Sequence, residues 1–165
     1  MSQNKRILLV VLVIIVLAGA VIGIEQLRGQ RLANQLDIAL QPGDIPVYWN
    51  GTIKAGFSPT DIEKLPQASF IDAEEGKTQD GWLLKDVLLL YFKENQFKDG
   101  THITVSSSSR NKAVELTWAE VANPDNMVMF DLSWRGTLKL VSLLEKLDTR
   151  DEWIQDTDRI EINTK

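Results

Sequence analysis

The run ILLVVLVIIVLAGAVIGI at residues 7–24 constrains this chain more than any other stretch, because its eighteen residues hold no charge and no strong polar group. As an α-helix rising about 1.5 Å per residue it spans roughly 27 Å, close to the hydrocarbon thickness of a bilayer. It reads as a transmembrane helix behind a cytoplasmic tail of residues 1–6. A cleaved signal peptide is the competing reading: Lys5 and Arg6 make a basic leading region, and Ala18-Gly19-Ala20 has the small-x-small form of a cleavage site. The anchor is preferred because the run is longer than the apolar region of about 7–15 residues typical of a signal peptide. Cutting after Ala20 would also expose Val21-Ile22-Gly23-Ile24 at the new terminus.

Lys5, Arg6 and the terminal amine precede the run, whereas Arg28 and Arg31 follow it with Glu25 beside them. This bias puts the N-terminus in the cytoplasm, so the expected placement is single-pass in the cell (inner) membrane with the C-terminal domain extracytoplasmic. All 23 acidic residues but only 16 of the 18 basic ones follow the run, a balance of about −7. Such a surface is repelled by phosphate backbones, and no nucleic acid is expected as a partner. Residues 25–41 continue as a helical stalk, with Leu32, Leu36 and Leu40 at i, i+4 spacing and Pro42-Gly43 as the stop. A protein partner could pack on the transmembrane helix and this stalk; the stripe could equally lie against its own domain or serve as a spacer.

Residues 42–165 suit one domain with one core, and their pattern is α+β, a mixed β domain with short helices. Residues 45–55 form a hairpin, since Asn50-Gly51 supplies the positive φ values of a two-residue turn; Asn50-Gly51-Thr52 is also a formal glycosylation sequon. Ser58-Pro59-Thr60-Asp61 opens a helix that Pro66 ends. Residues 68–72 have strand character, residues 72–80 are a polar loop, and the apolar residues 81–92 (GWLLKDVLLLYF) are expected as a helix against the sheet. Residues 101–106 alternate as a half-buried strand, the loop 106–112 leads to a strand at 113–116, and Thr117-Trp118-Ala119-Glu120 is a capping box closed by Asn123-Pro124. Strands follow at 127–132 and 137–141, a helical segment at 143–147, and a last strand at 159–163.

Cysteine is absent, which removes disulfides, thiolate nucleophiles and iron–sulfur ligation together. His102 is the single histidine and falls on the polar face of its strand, where a solvated imidazole is the default. Asp72, Glu74, Glu75 and Asp80 lack calcium-loop spacing and read as a solvated loop. The serine run 106–109 lacks the glycines of a phosphate loop. Trp82, Trp118 and Trp153 read as core. Arg110 and Arg135, each in a turn, are the candidates for holding an anion, and with Ser107 and Ser108 they make the candidate ligand-binding set. No catalytic residue and no metal ligand is assigned.

Ile45-Pro46-Val47 with Gly51 and Ile53, followed by Phe57-Ser58-Pro59-Thr60-Asp61-Ile62-Glu63-Lys64-Leu65-Pro66, resembles the opening of sulfite-oxidase-type molybdopterin-binding domains. Gly81-Trp82-Leu83-Leu84-Lys85-Asp86-Val87-Leu88 is similar to that family's G-x-x-L-x-D-V-L helix, and residues 101–121, 136–141, Trp153-Ile154 and Ile160-Glu161-Ile162 resemble its later strands. The resemblance implies the fold without the oxidoreductase. The family's molybdenum-ligating cysteine would fall within residues 69–80, which hold none, and its H-G-x-P-x-R stretch is replaced by Trp134-Arg135-Gly136-Thr137-Leu138-Lys139. Arg135 and Lys139 survive only as basic positions nearby.

The expectation is therefore a membrane-anchored, non-catalytic accessory or interaction subunit with no cofactor. The alternative is a binding or sensing module for a small anionic or pterin-like ligand. A hydrolase or metal enzyme would need a perturbed acid/base pair that the sequence does not offer.

Overall fold

The computed structural model describes residues 39–164. The expected transmembrane helix at 7–24, the tail before it and nearly all of the stalk lie outside these residues. Among the described residues no helix is long and apolar enough to cross a membrane.

Pro42-Gly43 forms a tight turn, closed by a bond from the Asp44 N–H to the Gln41 carbonyl at 3.0 Å. The hairpin then follows as β1 (Ile45–Trp49) and β2 (Thr52–Phe57), with Asn50 at φ 49° and Gly51 at φ 76°. Those two positive φ values give the turn a twist matching that of its strands. Asn50 also ties the hairpin to the end of the chain, because its side chain bonds Thr164 through Nδ2 and Oδ1, each at 3.0 Å. Its amide is thereby occupied within the fold. At the start of helix α1 (Pro59–Ile62) the Asp61 carboxylate accepts from the Ser58 N–H and from the Ser58 hydroxyl, each at 2.8 Å.

After β3 (Ala68–Ile71) the structure departs from expectation. Residues 78–80 are not loop, and residues 81–83 are not helix: both belong to β4 (Thr78–Leu83), antiparallel to β3. Helix α2 is only Leu84–Leu89. Gly81 explains the change, because it lies opposite Asp131 in a strand pair so close that a Cβ would overlap the Phe130 carbonyl oxygen. Unlike an isolated apolar dodecamer, this segment gains ladder bonds on both sides of β4, and tertiary pairing outweighs helical propensity.

The later elements are β5 (His102–Ser107), β6 (Lys112–Thr117), α3 (Trp118–Ala122), β7 (Met129–Leu132), β8 (Leu138–Val141) and β9 (Arg159–Asn163). The Thr117 hydroxyl accepts from the Glu120 N–H at 3.3 Å, and Glu120 reaches back to the Thr117 N–H at 2.7 Å. The expected helical segment at 143–147 shrinks to one 3-10 turn, Glu145–Leu147, and Met127 is not strand but a left-handed cap at φ 47°.

Two sheets result. One runs β2-β1-β9-β5-β6 and is antiparallel except for the β1–β9 pair; the other runs β3-β4-β7-β8 and is antiparallel throughout. The β-rich mixed architecture with few short helices is as expected. Val47, Ile103, Val105, Ile160 and Ile162 from the first sheet share a core with Trp82, Phe130, Leu138 and Leu140 from the second, and with Val87, Leu88 and Trp118 from the helices. A smaller cluster, Met129, Val141 and Trp153 with Phe70 and Leu83, forms separately around the second sheet. Met129 and Phe130 join different clusters because successive strand side chains point to opposite faces.

Candidate functional site

The smaller cluster does not cover its sheet completely. Beside it a cleft of about 460 Å³ opens, lined by Gln79 from β4, Asp131 and Leu132 from β7, Lys139 from β8, the β7–β8 turn, and Arg150, Trp153 and Gln155 from the segment before β9. Register places Asp131 directly opposite Lys139, and their side chains meet at 2.9 Å. Lys139 also donates to Gln79 Oε1 at 2.9 Å and lies 4.7 Å from the centre of the Trp153 ring. Gln79 in turn donates to Asp72 at 2.8 Å.

Asp72 is only 1% exposed, so the solvated acidic loop expected at 72–80 is wrong for its first residue. Its carboxylate accepts from the Glu75 N–H at 2.6 Å and from Gln79, with Arg150 Nη2 3.7 Å away. The Glu75 backbone bond lowers its pKa most, against the opposing effect of desolvation, with Gln79 and Arg150 adding to the lowering. Arg150 reaches Glu75 at 3.0 Å, while its N–H donates to Glu74 at 3.0 Å. The loop is thus pinned to the segment before β9 by one buried carboxylate and one arginine.

The β7–β8 turn is closed by Ser133 and Thr137, with Gly136 at φ 78°. It holds Trp134 at 93% exposure with the Arg135 guanidinium 5.9 Å from its ring centre. An indole presented in this way by a closed hairpin covers no core.

Of the four residues singled out from sequence, the two arginines meet at one carboxylate, and Ser107 and Ser108 lie apart from it. Arg135 Nη2 meets Asp156 at 3.1 Å, and Arg110 Nε, from the β5–β6 turn, meets the same carboxylate at 2.7 Å. Thr137 donates to it at 2.7 Å. That hydroxyl is the largest cause of a lowered Asp156 pKa, desolvation opposes it, and Arg110 and Arg135 add to the lowering. Ser107 is buried with its hydroxyl against Ser109 at 3.3 Å, and the Ser108 N–H donates to Asp158 at 2.8 Å. Ser107 and Ser108 line a separate shallow cleft with Lys112. Arg110 lines a cleft of about 220 Å³ with Lys112, Arg150, Asp151, Trp153 and Gln155. Sequence reasoning missed Asp156, Arg150 and Lys77; of these only Asp156, in the left-handed region at φ 55°, is backbone-distinctive, and nothing in its neighbours announces that.

His102 is half-exposed on the polar face, as expected, and its Nδ1 lies 2.8 Å from Glu115 Oε1. Trp82, Trp118 and Trp153 are buried, Trp118 stacked on Phe97 at 4.0 Å. Among the described residues no three His, Cys, Asp or Glu side chains group as metal ligands. Donors within residues 69–80, where the resembled family would hold molybdenum by a thiolate, are hard oxygens, and the buried one, Asp72, is committed to its own loop. This donor set does not fit a soft metal centre. No family model matches the chain, and no curated protein matches it.

Proposed function

We propose that the chain is a membrane-tethered, non-catalytic interaction subunit: residues 7–24 anchor it, and residues 42–165 form an extracytoplasmic domain of degenerate sulfite-oxidase-like, molybdopterin-binding-like fold that docks to another protein of a membrane-associated complex. Trp134 carries the reading. An aromatic side chain 93% exposed at the tip of a closed turn covers none of its own core, whereas tryptophan is among the side chains enriched at binding hot spots. Leu132, 38% exposed, and Arg135 flank it, so the tip offers apolar area with one cation. Support for the fold reading comes from order along the chain: the opening hairpin, the Ser58-Pro59 capped helix and a last strand at Arg159–Asn163 fall where the resembled motifs do, whereas the helix resembled at Gly81–Leu88 begins only at Leu84. The missing thiolate argues for the fold's use without its chemistry.

Two measurements test this. Protease added to intact spheroplasts is expected to digest the domain; cleavage only after lysis would reverse the orientation. Native electrophoresis of detergent-solubilised membranes is expected to show the chain in a complex that Trp134→Ala shifts to the free form at an unchanged melting temperature. Identical migration of the two proteins would sink the docking role of the hairpin.

A further inference from the structure

The part of the chain after the apolar run is acidic, yet the two clefts flanking Trp153 are lined by six cations, Lys77, Arg135, Lys139 and Arg150 on one side and Arg110, Lys112 and again Arg150 on the other, against two carboxylates, Asp131 and Asp151. Internal partners do not erase this excess, because in most of these pairs the cation is the outer member. The Arg110 and Arg135 side chains are 42% and 40% exposed where Asp156 is 19%, and Arg150 is 32% where Asp72 is 1%; only Glu75, at 38%, stands as far out as its arginine. Charges layered in this way, with negative behind and positive in front, present positive potential to whatever enters the clefts.

A second observation points the same way. Arg150, Trp153 and Gln155 are the residues common to both clefts, and two of them hold buried donors, Arg150 Nε and Trp153 Nε1, with no acceptor among the described residues. Buried donors are nearly always satisfied, so these two leave unmet hydrogen-bonding capacity in the residues that the clefts share.

We propose that the two clefts form one binding site for a small organic polyanion, a molecule carrying at least two carboxylate or phosphate groups that engage Arg135, Lys139 and Arg150 at one end and Arg110 and Lys112 at the other. A single negative charge competes poorly with carboxylates already in place, whereas a polyanion gains from both ends at once. An extended polymer such as nucleic acid would meet the acidic remainder of the surface. This site goes beyond the docking role of Trp134 and does not depend on it.

The test is calorimetric titration of the full chain in neutral detergent with citrate, pyrophosphate and acetate at low ionic strength. Citrate or pyrophosphate is expected to bind and acetate not; which of the two binds more tightly distinguishes a polycarboxylate from a phosphorylated ligand. Arg135→Gln and Lys112→Gln, one from each cleft, should each weaken binding by about tenfold, while Lys54→Gln at an exposed position of β2 leaves it unchanged. Melting curves confirm that the variants are folded. Absence of binding by either polyanion up to about 10 mM, or wild-type affinity in either cleft variant, would overturn the proposal.

Discussion

Gly81→Ala separates the observed fold from the helix that the apolar stretch 81–92 suggests, because only in the strand does the added Cβ meet main chain. At the first residue of a helix over 81–92, outside the helix interior, glycine and alanine differ by no more than about 1 kcal/mol in either direction. In β4 the added Cβ overlaps the Phe130 carbonyl oxygen and comes within 3.1 Å of the Asp131 Cα, so main chain, not a flexible side-chain tip, must move. Overpacking of this kind costs about 1–3 kcal/mol. For a domain of this size 1 kcal/mol corresponds to roughly 3–4 °C in Tm, so the strand arrangement predicts a fall of about 3–12 °C and the helix a change of at most about 3–4 °C in either direction. Differential scanning fluorimetry of the full chain in detergent reads either change. A variant melting at or above the parent temperature would refute the β4–β7 pairing as described.

Leu88→Asp buries an unpaired carboxylate at a fully enclosed core position, which costs several kcal/mol, comparable with a domain's whole stability; circular dichroism is expected to show loss of the folded state. Acid titration should show stability lost as pH falls below the ordinary aspartate value of 3.8, because Asp156, held by Thr137, Arg110 and Arg135, and Asp72, held by its Glu75 backbone bond, both have lowered pKa values when folded, so the unfolded chain binds the extra protons in that window. Asp156→Asn should be less stable at neutral pH and should lose less on acidification, and an unchanged acid profile would contradict the linkage. Elemental analysis of protein purified from its native membrane is expected to find no stoichiometric molybdenum; finding it would end the non-catalytic reading.

Short-range chemistry was legible in the sequence. Asn50-Gly51, Ser58-Pro59 and Thr117 with Glu120 satisfy local backbone groups within a few residues, and each lies where its pattern points. The period-2 alternation of residues 101–106 likewise emerges as β5 with Ile103 and Val105 buried. What failed depended on partners distant in sequence. The boundary at Gly81 is set by Phe130 on another strand, and Asp72 is met by Arg150 far along the chain. The candidate arginines were found as cations in turns, but the carboxylate that joins them, Asp156, lies 46 residues from one and 21 from the other. Neither spacing nor periodicity reports such an encounter. Trp134 escaped because an exposed and a buried indole look alike in a list of residues; the closed Ser133–Thr137 turn makes the difference.

The central claim, that the domain meets a protein partner through the β7–β8 turn, is tested most directly by placing a photo-crosslinking residue at Trp134, with a second copy of the experiment at Lys54 as reference, and irradiating native membranes. One discrete adduct with one other protein is expected from position 134 and none from position 54. No adduct from position 134, or the same products from both positions, would contradict it.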